Sequence, residues 1–227
     1  MVKGAFDELN VGGETARVYA SPSRGQSPSV VVFHPWWGLN DDVIAYADQL
    51  ADSGFWVVAP DLVRGRLAST VEEAERLASS KDDDHAEAVA LAAIDQLAGS
   101  SGSTKIGVVG FSMGAAWALW CAAQRPAVAA TVVYYGTLQG QSLARAAAPV
   151  LGHFAEADPY EPDEAVVAFE RTLRSAGRLV VIHRYPGTGH WFAEPSRDSW
   201  RPAAAELALE RTAEYLHKYL APAGSTE

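Results

Sequence analysis

The chain has a single cysteine, Cys121, among its 227 residues. No internal disulfide can form, and a reducing compartment is the expectation. Positive charge is also scarce: 18 lysines and arginines face 28 aspartates and glutamates, a formal net charge of -10. Such a chain is repelled at long range by nucleic acid and by anionic membranes, so neither is an expected partner, and a small molecule is. No run approaches the roughly 18 to 20 apolar residues that span a bilayer, and the opening "MVKGAFDELN" has no apolar signal core. The expectation is a cytoplasmic protein, as a monomer or small homo-oligomer. Internal repeats and low-complexity linkers are absent, and 48% hydrophobic residues suffice for one sizeable core. One domain is expected over residues 1–221, with a flexible tail over 222–227.

What is present is an alternation. The short runs "PSVVVFH", "GFWVVAP", "KIGVVG", "AATVVYYG", "APVLGHFA" and "RLVVIHRYP" read as strands buried on both faces. Between them lie helix-like stretches: Asp41 to Ser53, Thr70 to Ser79 continuing past "KDDD" into Ala86 to Leu97, Met113 to Gln124, and Pro162 to Ser175. A last helix is expected from about Ser199 to Leu220. The pattern predicts an α/β fold, a mostly parallel twisted sheet with helices on both faces. The opening "FDELNVGGETARVYASP" instead alternates on either side of Gly12-Gly13, which predicts an antiparallel hairpin at one sheet edge. In an open parallel sheet, ligands bind beyond the carboxyl ends of the strands, so the residues just after each strand matter most.

After "KIGVVG" comes "GFSMG", Gly110 to Gly114, and then the helix-forming "AAWALWCAAQ". The five-residue G-x-S-x-G pattern is weak alone and strong between a buried strand and a helix. There the turn is so tight that the serine backbone is strained, and glycines on either side remove side chains that would collide. Ser112 is thereby placed as an exposed hydroxyl at the positive end of a helix. The competing reading is an ordinary turn with a capping serine.

A serine nucleophile needs a base, and the base needs an orienting acid, in the chain order nucleophile, acid, histidine. "EADPYEP" follows one later strand and "GTGHWF" the next, which puts Asp158 and His190 at the required places. Glu156 and Asp163 compete with Asp158, but Asp163 is placed to begin a helix. His153 and His183 fall within strands and read as satisfied structural residues, while His85 and His217 fall in helical stretches and read as facing water. None shows metal-ligand spacing, and "KDDDH" is better read as a capped helix start than as a metal site. Neither a metal nor a cofactor is expected, and Cys121 is assigned no chemistry.

Two adjacent tryptophans end the first parallel strand in "HPWWG". An acyl-transfer site needs two backbone N–H groups aimed at the oxyanion. Met113, the residue after the nucleophile, supplies one candidate, and Trp36 in this loop supplies the other. The rings of Trp36 and Trp37 are expected to line the acyl pocket, with core packing as the alternative. Gly38 lets the chain turn, and Asn40 or Asp41 caps the next helix.

In order and spacing, "HPWWGLND", "GFWVVAPDL", "KIGVVGFSMGA", "VVYYG", "EADPYEP" and "YPGTGHWFA" resemble the segments of the dienelactone hydrolase family of α/β-hydrolases over almost the whole chain. The resemblance implies the α/β-hydrolase fold and hydrolysis of an ester or lactone through an acyl-enzyme, with Ser112, Asp158 and His190 as triad. The best-known members have cysteine where this chain has Ser112, a regulatory glutamate where it has Pro35, and a carboxylate-binding arginine where it has Glu194. A carboxylate at Glu194 would repel an anionic lactone. The expected substrate is therefore a neutral, small to medium ester, aromatic groups being favoured by Trp36, Trp37, Tyr135, Tyr160 and Trp191. Arg64, Arg66 and Arg76 are candidates for a substitute anion site. The alternatives are thioester hydrolysis on the same triad and a non-catalytic module that binds a small ligand.

Overall fold

The computed structural model describes residues 3–22, 27–100 and 104–221. The tail expected to be flexible, 222–227, lies outside the described residues. Among the described residues eight strands form one sheet: β1 (Ala5–Val11), β2 (Glu14–Ala20), β3 (Ser29–Phe33), β4 (Trp56–Pro60), β5 (Ile106–Phe111), β6 (Val128–Tyr134), β7 (Val150–Ala157) and β8 (Val180–Gly189). Their spatial order is β1-β2-β4-β3-β5-β6-β7-β8. β1 and β2 form the antiparallel edge hairpin, β2 joins β4 antiparallel, and every pairing from β4 to β8 is parallel.

The two faces follow from the period of two along each strand. In β3, Val30 and Val32 pack with Leu50 of α1 (Asp41–Asp52) and Leu216 of α7 (Pro202–Leu220). Val31 and Phe33 point the other way, to Ile94 of α3 (Asp83–Ser100) and Ala118 of α4 (Met113–Gln124). β3 and β5 are buried throughout because helices cover both sides. β8 departs from that expectation. It is the free edge, and Leu179 just before it and Val181 within it are 67% and 45% exposed.

The helix boundaries follow local capping chemistry. Asn40 accepts from the Val43 N–H at 3.2 Å and starts α1. Thr70 and Glu73 form a reciprocal capping box at the start of α2 (Val71–Ser79). The helix-like stretch that continues past "KDDD" is two helices, and the capped start expected at "KDDDH" is the second: Asp82 accepts from the His85 N–H at 3.1 Å and begins α3. A short helix, α5 (Gln141–Arg145), was not expected; α6 (Asp163–Ser175) was. Pro202 delays the last helix, since a proline suits its first turn. Among the described residues no helix is long and apolar enough to cross a membrane.

Candidate active site

Ser112 stands between β5 and α4 with φ 50° and ψ -115°, a left-handed backbone that a non-glycine residue adopts at a cost. Its neighbours show why the turn needs glycine. A Cβ on Gly110 would lie 2.1 Å from the Gly114 carbonyl oxygen, and one on Gly114 would lie 2.2 Å from the Phe33 carbonyl oxygen. The helix therefore starts directly against the end of β3. Met113 is its first residue, where N–H groups have no intrahelical acceptor.

Ser112 Oγ lies 3.0 Å from His190 Nε2, and His190 Nδ1 lies 2.7 Å from Asp158 Oδ2. The imidazole and carboxylate are almost fully buried. Asp158 is oriented by its own loop: Oδ1 accepts from the N–H groups of Tyr160 at 2.9 Å and Glu161 at 3.1 Å. The Glu161 carboxylate accepts from Thr137 N–H at 3.0 Å and from its hydroxyl, which ties that loop to the end of β6. The competing acids are engaged elsewhere. Glu156 accepts from Gly187 N–H at 2.8 Å, and Asp163 pairs with Arg184 at 2.7 Å. The Ser199 hydroxyl donates to the His190 carbonyl oxygen.

Rings surround His190. Tyr160 and Trp191 lie with centroids 4.8 and 5.1 Å from the imidazole, and Trp37 meets Trp191 at 5.2 Å and Trp36 at 5.5 Å. A cavity of about 530 Å³ opens beside them, lined in part by Trp37, Val71, Tyr160, His190, Trp191 and Arg197. Trp37 is only 1% exposed, so most of its ring is core packing and its edge borders the cavity. Tyr135 differs from expectation. It is fully buried behind His190, its ring 5.0 Å from the imidazole, and it is not among the cavity-lining residues.

The charges near the cavity also differ from those expected. Glu194 is 2% exposed and does not line the cavity; its carboxyl accepts from the Tyr135 hydroxyl at 2.9 Å. Burial pushes its pKa up to about 8, only partly offset by the Tyr135 hydrogen bond, so at neutral pH the group is largely uncharged. Glu194 therefore does not repel an anionic substrate as its place in the sequence suggests. Arg64 pairs with Asp82, Arg66 with the Val63 carbonyl and Ser80, and Arg76 with Glu72, so none of the three turns to the cavity. The arginine that does line it is Arg197, whose guanidinium sits 3.9 Å from the Trp37 ring centre. Nothing local in the sequence marks Arg197.

His34 is a second residue that pattern reading passed over. It is wholly buried at the end of β3; Nδ1–H donates to the Pro35 carbonyl at 2.7 Å, and Nε2 accepts from Leu62 N–H at 3.1 Å. Both nitrogens are used by a neutral ring, and burial lowers its pKa accordingly. His34 thus fastens the Trp36-Trp37 loop to the loop after β4. Its signal was its place directly after a buried strand. Among the described residues, no group of three or more His, Cys, Asp or Glu side chains is arranged to hold a metal.

A strand, a strained turn with serine and a helix, joined by an acid and a histidine from the loops after β7 and β8, define an α/β-hydrolase. The chain belongs to the dienelactone hydrolase family, whose sequence pattern it matches over residues 15–220. It is 29% identical to a Bradyrhizobium protein named "Probable 2-oxo-3-(5-oxofuran-2-ylidene)propanoate lactonase", over 95% of each chain. It is 27% identical to "Protein usf" of Aquifex pyrophilus, over 96% of this chain and 99% of the relative. Its fold is also that of a dienelactone hydrolase-like promiscuous phosphotriesterase from metagenomic libraries. That match has a TM-score of 0.83 at 21% identity and covers 95% of this chain and 98% of the other.

Proposed function

We propose that this protein hydrolyses small to medium carboxylic esters and lactones through a serine acyl-enzyme. The observation that carries the reading is the unbroken line from Ser112 Oγ through His190 to the buried Asp158 carboxylate. With Nδ1–H donated to Asp158, Nε2 carries the lone pair that faces the Ser112 hydroxyl. Ser112 Oγ attacks the ester carbonyl carbon as its proton passes to Nε2. The N–H groups of Met113 and Trp36 receive the oxyanion, and the C–O bond breaks as the imidazolium returns its proton to the leaving alkoxide. Water then attacks the acyl-serine, giving its proton to Nε2, and the acid departs as Ser112 regains a proton. A lactone follows the same steps with its alcohol still tethered.

Trp37, Tyr160 and Trp191 are read as the substrate-contacting rings, since all three border the cavity beside His190. Residues 1–221 are read as one domain, because all eight strands among the described residues join one sheet. Hydrolysis of graded p-nitrophenyl esters, lactones and acyl thioesters by the wild type and S112A tests the function. S112A is expected to keep the fold and lose kcat by roughly 10⁴-fold or more. Full turnover by purified S112A would refute the assignment, and turnover of thioesters alone would move it to that substrate class.

A further inference from the structure

The steps above leave unused a buried carboxyl that reaches the histidine through one aromatic ring, Tyr135. Glu194 follows His190 by four residues, in the turn that also carries Trp191 and Arg197: its N–H donates to the Trp191 carbonyl at 2.9 Å, and its carbonyl accepts from Arg197 N–H at 3.0 Å. Its Oε1 accepts from the Tyr135 hydroxyl at 2.9 Å. Tyr135 leaves β6 with a positive φ of 37°, is fully buried, and presents its ring to the His190 imidazole at 5.0 Å. A strained backbone persists only where its surroundings over-determine it, and here the side chain is held at its hydroxyl end by one group.

We propose that Glu194 is a positioning residue of this hydrolase: its buried carboxyl anchors the Tyr135 hydroxyl, and the Tyr135 ring in turn seats His190 against Ser112. The proposal rests on the triad reading above. It also carries a pH dependence. The charged and titratable groups around the carboxyl are Tyr135 at the end of β6, Asp42 on α1 and Arg197 on its own loop. Burial outweighs them and leaves the group protonated until about pH 8. Above that pH a buried anion forms at the far end of Tyr135, its desolvation cost loosens the packing that seats Tyr135 and His190, and turnover weakens.

Two variants separate anchoring from charge. E194Q keeps an oxygen acceptor for Tyr135 and cannot ionise, whereas E194L fills similar space and leaves the hydroxyl without a partner. The kcat of the wild type is expected to fall several-fold between pH 7 and 9.5, and that of E194Q to stay level over the same range. E194L is expected to lose kcat by about tenfold or more at pH 7, with KM changed much less, because a misplaced base costs rate before it costs binding. A readout that needs no turnover is tryptophan fluorescence of S112A between pH 6 and 10, where a transition near pH 8 is expected that the S112A/E194Q double variant lacks. If S112A still hydrolyses esters, the triad reading fails, while the fluorescence transition continues to report on Glu194. If S112A is inactive and E194Q keeps both the alkaline fall and the transition, or folded E194L keeps wild-type kcat, the role given to Glu194 is overturned.

Discussion

Thr212 offers a quantitative test of what holds the sheet against its last helix. It lies on α7, fully buried, and its hydroxyl meets Tyr134 Oη at 2.8 Å and His153 Nε2 at 3.0 Å. The chain of contacts continues outward on both sides. The Tyr46 hydroxyl donates to Tyr134 Oη at 3.2 Å, His153 Nδ1 meets the Tyr185 hydroxyl at 2.7 Å, and Arg211 donates to that hydroxyl at 3.3 Å. T212V keeps the branched shape and removes the hydroxyl. His153 Nε2 then has no partner, while Tyr134 keeps only its long contact to Tyr46. A buried polar group left unpaired costs about 1–3 kcal/mol, so one full and one partial loss amount to roughly 2–4 kcal/mol. At about 2–4 °C per kcal/mol for a chain of this size, T212V is expected to lower Tm by roughly 4–16 °C. T212S keeps the hydroxyl and loses one methyl, worth about 1 kcal/mol, and is expected to fall by only about 2–4 °C. Thermal unfolding followed by circular dichroism decides the matter. If T212V melts at or above T212S, the buried hydroxyl is not what holds His153 and Tyr134, and the reasoning fails.

Two further outcomes follow from burial and backbone contact. G114A drives a Cβ to within 2.2 Å of the Phe33 carbonyl and 2.7 Å of the His34 carbonyl, backbone atoms that cannot turn aside. A loss of about 3 kcal/mol, the upper end for overpacking, is expected in urea unfolding, with slower labelling of Ser112 by a fluorophosphonate; wild-type values for both would contradict the elbow packing. His153 is held neutral, its pKa pushed well below the usual histidine range by burial and then by His183 and Arg211. The unfolded chain takes up a proton there below about pH 6.5 and the native one does not, so stability is expected to fall as pH drops past that value, by up to about 1.4 kcal/mol per unit. Urea midpoints at pH 7.5 and 5.5 check this, and a slope unaltered in H153Q would assign the loss to other groups.

How much of this was legible depends on whether the cause is local. The strained serine turn is local: five residues between a β-branched run and a helix former specify it, and Ser112 has the positive φ that the turn requires. Asp158 and His190 could be named because each follows a strand directly, and a parallel sheet brings all such ends to one edge. Helix starts were readable where caps are adjacent in sequence, as at Asn40 and Thr70. The capped start in "KDDDH" is readable for the same reason, since Asp82 caps α3 from the residue just before it.

Strand content, the edge hairpin, the serine elbow and the family were determined by the sequence alone, because periodicity and tight-turn sterics act between residues a few places apart. Tertiary structure alone decided that β8 is an exposed edge, that Glu194 is sealed behind Tyr135 and largely uncharged, and that Arg197 lines the cavity. The physical reason is that charge state and exposure depend on what surrounds a group in space. Glu194 would be an ordinary solvated carboxylate were Tyr135, 59 residues earlier in the chain, not folded against it.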